Sequence, residues 1–190
     1  RREARGCLLG EKREIEERGG VLGGENGFWI GIVPGRPVQI DRILALVDRT
    51  DVAAEVIAAA GALADVLGAE KHLLHCLDYP ADVALRRLPD ADRALRAYHD
   101  QERAAVAREL DAHTAGRGHW RIHLEDGWVG SGVPRVVQAT KAQLAVLSSH
   151  SRSGLAGMLG TTAETLLERA PVSTWVLRPA SWVSPIEPAD

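Results

Sequence analysis

Residues 43–48 read Ile-Leu-Ala-Leu-Val-Asp, and this stretch, with the segments that follow it, decides the fold. Its five apolar residues form a short continuous run, which is typical of a strand buried on both faces of a sheet. The next segment, 51–68, predicts a helix because its apolar residues recur at helical spacing. Asp51 is placed to cap the start of that helix and Gly68 to end it. A second apolar run at 71–77 predicts another strand, so the unit is a strand, a helix and a strand.

The same alternation continues along the chain as far as residue 177. Residues 78–89 show no clear period and are interpreted as a loop, and the glycines at 130–132 are interpreted as a turn. This order of elements predicts an α/β fold with an open five-stranded parallel sheet and helices on both faces. The further predicted elements are strands at 116–125, 144–148 and 174–177, and helices at 90–113, at 133–142 and around Ala163, Leu166, Leu167 and Ala170.

The 190 residues suffice for one domain with some chain to spare. We predict that domain at 38–180. Residues 1–37, which are first highly charged and then rich in glycine and proline, are interpreted as a leader and linker, and residues 181–190 as a tail. Because residue 1 is arginine, we expect the sequence to be a piece of a longer product or a processed form.

Composition excludes several classes of function. The formal net charge of -3 provides no basic field for a phosphate backbone, so nucleic acid is not an expected partner. The longest apolar stretch, 52–68, is interrupted by Glu55 and Asp65, which predicts no membrane span. Cys7 and Cys76 form no CxxC pair, so neither a disulfide framework nor a thiolate zinc site is predicted. These features together predict a cytoplasmic protein.

The predicted topology also predicts where a ligand would bind. In open parallel sheets, ligands lie beyond the carboxyl ends of the strands, where the strand order reverses. That rule places Asp48, Cys76 and the loop 148–161 around one crevice. Histidines do not suggest a metal there. His72 and His75 lie on opposite faces of a strand, whereas His119 and His123 share a face without a clear acidic partner.

Three segments together resemble the universal stress protein family over roughly residues 38–180. They read Leu-Ala-Leu-Val-Asp at 44–48, Leu-Leu-His-Cys at 73–76, and Val-Leu-Ser-Ser-His-Ser-Arg-Ser-Gly-Leu at 146–155, the last continuing to Leu-Gly-Thr-Thr-Ala-Glu at 159–164. The resemblance implies a five-stranded parallel sheet that often dimerises through its last strand. It also implies a regulatory protein of stress physiology. Many members of the family bind ATP or AMP, and others do not.

The resemblance also assigns binding positions to individual residues. Two loop glycines of the nucleotide-binding members fall on Ser148 and Ser151, and the closing Gly-Thr pair falls on Gly160 and Thr161. Asp48 matches the acidic residue near adenine and ribose. The complete candidate set for ATP or AMP, with Mg²⁺ entering only with the nucleotide, is Leu46, Asp48, Cys76, Leu147, Ser148, His150, Ser151, Arg152, Gly160, Thr161 and Thr162.

Two interpretations of that crevice stay open at this point. Serine replaces both loop glycines, and eight residues instead of nine separate Ser151 from Gly160, so one alternative is a closed crevice. The protein would then be a dimerisation or interaction scaffold that binds no nucleotide. In both interpretations it is not an enzyme, because no acid, base or metal constellation is evident, and any ATP hydrolysis would be slow and incidental.

The leader resembles the end of the predicted domain. Arg2 precedes Leu9-Gly10 as Arg152 precedes Leu159-Gly160, and Trp29-Ile30 matches Trp175-Val176. Chance is one explanation for this likeness. The other is a degenerate preceding copy of the same domain, as in tandem universal stress proteins. We therefore expect either a homodimer or a pair within one chain, formed through the last strand.

Overall fold

The computed structural model describes residues 20–23, 28–32, 39–148 and 172–177, and for 20–32 only the backbone strands. The strands are β1 (Gly20–Gly23), β2 (Phe28–Ile32), β3 (Arg42–Leu46), β4 (Glu70–Leu77), β5 (Trp120–Asp126), β6 (Leu144–Ser148) and β7 (Ser173–Leu177). The helices within these ranges are α1 (Ala53–Leu67), α2 (Asp82–Leu85), α3 (Ala91–Thr114) and α4 (Val129–Thr140).

The strands form one sheet in the order β1-β2-β7-β6-β3-β4-β5. The five strands from β7 to β5 are all parallel, which confirms the predicted α/β fold. The chain runs outward from β3 through β4 to β5 and then returns to the other side of β3 to form β6. The strand order therefore reverses between β3 and β6, and a crevice is expected at their carboxyl ends.

Two strands lie in the segment that was interpreted as leader and linker, or as the end of a degenerate preceding copy of the domain. β1 and β2 form an antiparallel hairpin, and β2 pairs antiparallel with β7, with Trp29 opposite Val176 and Ile30 opposite Trp175. Apolar periodicity did not predict this hairpin. The outer edge of β7 offers free N–H and C=O groups, and any extended segment can pair with them. Such pairing needs no apolar period. A homodimer through β7 would have to displace β2.

Helices cover both faces of the parallel sheet, as predicted. On one face, α1 and α3 pack on inward residues of the strands, and Ile57 of α1 and Leu73 of β4 are fully buried there. On the other face, Val133 and Val137 of α4 pack against Leu44 and Leu74. The first strand run is buried on both faces, which explains why its sequence is continuously apolar.

Element boundaries differ from the predictions at several helix ends. α1 ends as predicted, because Gly68 adopts the left-handed conformation with φ of +65°. Its start is different. The residue at the helix boundary is Val52, and no side chain caps it, so the capping role predicted for Asp51 is wrong. The predicted loop at 78–89 contains the single turn of α2.

A further boundary error concerns α4, which begins at Val129 and not at residue 133. The glycines predicted as a turn lie in its first turns. Three donors hold this start, because the N–H groups of Ser131 and Gly132 and the Ser131 hydroxyl all donate to the carbonyl of Trp128. Pro134 lies inside the helix, in its second turn.

Candidate functional site

A pocket of about 100 Å³ opens at the carboxyl ends of β3, β4 and β6, beside the start of α4. It lies at the point where the strand order reverses, which is the position that the topology predicts for a ligand. Its walls are formed by Leu46, Val47, Asp48, Leu74, Cys76, Val129, Leu147 and Ser148.

Five of the candidate residues identified in the sequence meet at this pocket: Leu46, Asp48, Cys76, Leu147 and Ser148. They come from three different strands, and the parallel register brings their carboxyl ends to one edge. The other six candidates lie outside the described residues. They are His150, Ser151, Arg152, Gly160, Thr161 and Thr162. Sequence reasoning missed the lining residues Val47, Leu74 and Val129.

The floor of the pocket is apolar and rigid. Leu46, Leu74 and Leu147 are at most 8% exposed and belong to the core beneath α4. Their side chains close the pocket from below, while Val129 at the start of α4 bounds it on one side. A flat, apolar group fits such a floor better than a charged one, because the leucines offer no hydrogen-bonding groups to replace water.

Asp48 supplies the charge at the rim. It is exposed, and its Oδ1 accepts a hydrogen bond of 2.5 Å from the Thr50 hydroxyl. The side chain of the next residue, Arg49, does not pair with Asp48 in the contacts described: its Nε donates to Glu109 of α3 at 3.1 Å. The Asp48 carboxylate thus keeps lone pairs that a ligand hydroxyl or a cation can use.

A buried histidine holds the backbone that carries Asp48. His75 is 7% exposed, and its Nδ1 lies 2.9 Å from the carbonyl oxygen of Val47. Because a carbonyl only accepts, Nδ1 is the protonated nitrogen of this ring. The Val47 N–H in turn donates to the Leu74 carbonyl at 3.0 Å. These two bonds tie the residue before Asp48 to β4, a role that no sequence pattern indicated.

Cys76 forms part of the pocket wall, and its thiol is unreactive. Burial, together with the nearby Glu125 carboxylate, raises the pKa of its thiol to about 11, although Arg135 opposes them. The thiol is therefore protonated at neutral pH and is a poor nucleophile. Gly132 of α4 lies directly against it, since a Cβ on that glycine would be 2.9 Å from Sγ.

A second polar cluster stands at the same edge, after β4 and β5. The Tyr79 hydroxyl donates to Asp126 at 2.6 Å, and Arg103 of α3 donates to the same carboxylate at 2.7 Å. Burial and the Asp126 carboxylate raise the pKa of Tyr79 to about 12. The Tyr79 ring also stacks on His99, with 3.7 Å between centroids. This cluster ties α3 to the sheet and serves as a structural anchor.

Two histidines on the neighbouring strands β4 and β5 contact each other outside the pocket. His72 Nδ1 lies 3.0 Å from His123 Nε2, and the rings stack. The prediction that His72 and His75 point to opposite faces is consistent with these contacts, but the pairing across strands was missed. Burial lowers the pKa of both rings, so the pair is held neutral. Glu70 lies 3.5 Å from His72 Nε2.

In the described ranges, no set of three or more His, Cys, Asp and Glu side chains is placed to hold a metal ion. The same ranges contain no helix with both the length and the apolar character needed to cross a membrane.

The model of the universal stress protein family matches residues 39–178. No curated protein matched the chain. Among solved structures, the hypothetical protein MJ0577 has a TM-score of 0.60 at 15% identity, over 76% of this chain and 99% of that one. The universal stress protein UspA from Lactobacillus plantarum has a TM-score of 0.55 at 19% identity, over 75% of this chain and 100% of that one.

A functionally unknown protein from Pseudomonas aeruginosa PAO1 is 25% identical, with a TM-score of 0.59. The match covers 76% of this chain and 50% of that one, so this chain corresponds to half of that protein. The structural matches share the parallel sheet described above, and the family model spans the whole of it from β3 to β7. The chain belongs to the universal stress protein family.

Proposed function

We propose that this chain is a regulatory domain that binds an adenine nucleotide, ATP or AMP, in the pocket at the carboxyl edge of its sheet. One observation carries the proposal. Five residues chosen from the sequence for nucleotide binding, which fall in three separate segments of the chain, line a single pocket. The pocket lies at the reversal of strand order, which is where open α/β sheets bind nucleotides.

The chemistry of the walls suits the parts of a nucleoside. The leucine floor and Val129 can cover the flat face of a base, and the Asp48 carboxylate at the rim can accept hydrogen bonds from ribose hydroxyls. The pocket of about 100 Å³ is smaller than the several hundred Å³ usual for a bound small molecule. It would therefore hold one part of the nucleotide only.

The phosphates would extend past Ser148 along the chain that follows it. The residues proposed to bind them, with Mg²⁺ if it enters with the nucleotide, are His150, Ser151, Arg152, Gly160, Thr161 and Thr162. Hydroxyl groups and free N–H groups at a helix start are suitable donors to phosphate oxygens.

We propose binding and release, not catalysis, as the function of the site. The one thiol in the pocket wall is protonated at neutral pH, because its pKa is raised to about 11. The Asp48 carboxylate is exposed to water, and its Oδ1 accepts a hydrogen bond from the Thr50 hydroxyl. A nucleotide in this site would act as a signal.

The alternative function is a scaffold that dimerises through its last strand and binds no nucleotide. The sheet argues against this form of dimer, because β2 already pairs with the outer edge of β7. A second copy of the chain at that edge would compete with β2.

The proposal is tested by calorimetric titration of the whole chain with ATP and with AMP in the presence of Mg²⁺. We expect saturable binding, and we expect Asp48→Ala to weaken it by about 10- to 150-fold, as for loss of a hydrogen bond to a charged group. Asp51→Ala is the matched control, since Asp51 is also exposed but does not line the pocket. Absence of binding at millimolar nucleotide would refute the proposal.

A further inference from the structure

We infer that Trp128 is a specificity-determining residue of this site, whose indole stacks on the base of the bound nucleotide. The inference rests on the proposed function and adds a residue to it that neither the sequence motif nor the pocket lining contains. It is drawn from the position, exposure and support of one aromatic ring.

The position of Trp128 is at the rim of the pocket. It directly precedes Val129, whose side chain lines the pocket, and consecutive Cα atoms are about 3.8 Å apart. Its ring lies over Gly130, whereas Gly132 and Arg135, on the other side of α4, face Cys76 and Glu125 of β4 and β5. The indole thus stands on the side of α4 that is turned away from β5, next to the residue whose side chain lines the pocket.

The ring is exposed although it is one of the largest apolar side chains. Trp128 is 66% exposed, whereas Trp120 at the start of β5 is 8% exposed. An exposed indole contributes little to the stability of the fold, so packing does not explain its presence here. An open aromatic face beside an apolar pocket is suited to stacking against a flat heterocycle.

The ring is also supported from below. A Cβ on Gly130 would lie 2.2 to 2.6 Å from three carbons of the six-membered ring, so the indole lies directly over the glycine backbone. The Trp128 carbonyl accepts hydrogen bonds from the N–H groups of Ser131 and Gly132 at 3.1 and 3.0 Å. One face of the ring is therefore seated on α4 and its backbone is fixed, which lowers the entropy lost when a base stacks on the other face.

The test is a titration of four proteins with AMP and with ribose 5-phosphate, which lacks the base. We expect Trp128→Ala to weaken AMP binding by roughly 5- to 150-fold and Trp128→Phe to restore most of it, because phenylalanine keeps an aromatic face. Affinity for ribose 5-phosphate should be the same in all four. Val66→Ala is the matched control, since Val66 is 83% exposed and lies at the far end of α1.

Gly130→Ala provides a second perturbation that keeps the indole but removes its seat. We expect it to weaken AMP binding in the wild-type background and to have no further effect in Trp128→Ala. If the wild type binds AMP and Trp128→Ala binds it with the same affinity, the inference is overturned and the proposed function stands. Failure of the wild type to bind AMP or ATP would overturn both.

Discussion

Replacing Gly132 with alanine tests how closely α4 is packed on the wall of the pocket. In an ordinary helix this change stabilises the fold by up to about 1 kcal/mol, because alanine is the better helix former. At this position the new Cβ would lie 2.9 Å from Cys76 Sγ and 3.4 Å from Glu125 Cβ. Contacts between non-bonded carbons are most favourable at about 3.5–4.0 Å, so the thiol or the helix would have to move by more than half of one ångström.

Overpacking of this kind costs about 1–3 kcal/mol, which exceeds the gain in helix propensity. We therefore expect Gly132→Ala to lower the free energy of unfolding by up to about 2 kcal/mol, measured by urea denaturation followed by circular dichroism. In a Cys76→Ala background the obstructing sulfur is gone, and the same change should stabilise the protein by up to about 1 kcal/mol. The two backgrounds thus differ in sign.

The double-mutant cycle isolates the contact from the helix propensity, since propensity is common to both backgrounds. An equal effect of Gly132→Ala in both backgrounds would refute the close approach of α4 to Cys76. A change in the slope of free energy against urea would instead indicate an altered denatured state, so the midpoint and the slope must both be compared.

Two further outcomes are expected from the buried histidines. Because burial lowers the pKa of His72 and His123, the unfolded chain takes up protons first, and their contribution to stability is present above pH 6.5 and declines as the pH falls below it. Between pH 8 and pH 5, the urea midpoint should decline less in His123→Gln than in the wild type. An equal decline of the midpoint in both proteins would contradict this. His75→Leu should lower the free energy of unfolding by about 1–3 kcal/mol by leaving the Val47 carbonyl without its donor, whereas the exposed His119→Leu should have little effect.

The parallel core of the fold was predictable because its strands are buried on both faces. The runs at 43–47 and 144–147 are continuously apolar, and the structure places strands there within one residue. The hairpin of β1 and β2 was not predictable in this way. Its pairing with β7 uses backbone groups, which every extended residue supplies, so composition alone could not distinguish it from a linker.

The pocket was predictable in part for the same topological reason. Asp48, Cys76 and Ser148 follow or end three neighbouring strands, and a parallel sheet must bring such ends to one edge. His75 was missed because its role is a single hydrogen bond to a residue 28 positions earlier. The seat of Trp128 on Gly130 was missed because the glycines were interpreted as a turn, and only the early start of α4 places them under the ring.

These observations divide the site into a part fixed by folding and a part free to vary. The leucine floor belongs to the core beneath α4, so a change there alters stability and binding together. Asp48 and Trp128 are exposed, their backbone is fixed by hydrogen bonds at or next to each residue, and neither side chain is part of the core. Substitutions at these two positions should therefore change ligand affinity with little effect on folding. This separation is what makes the proposed ligand contacts measurable one at a time.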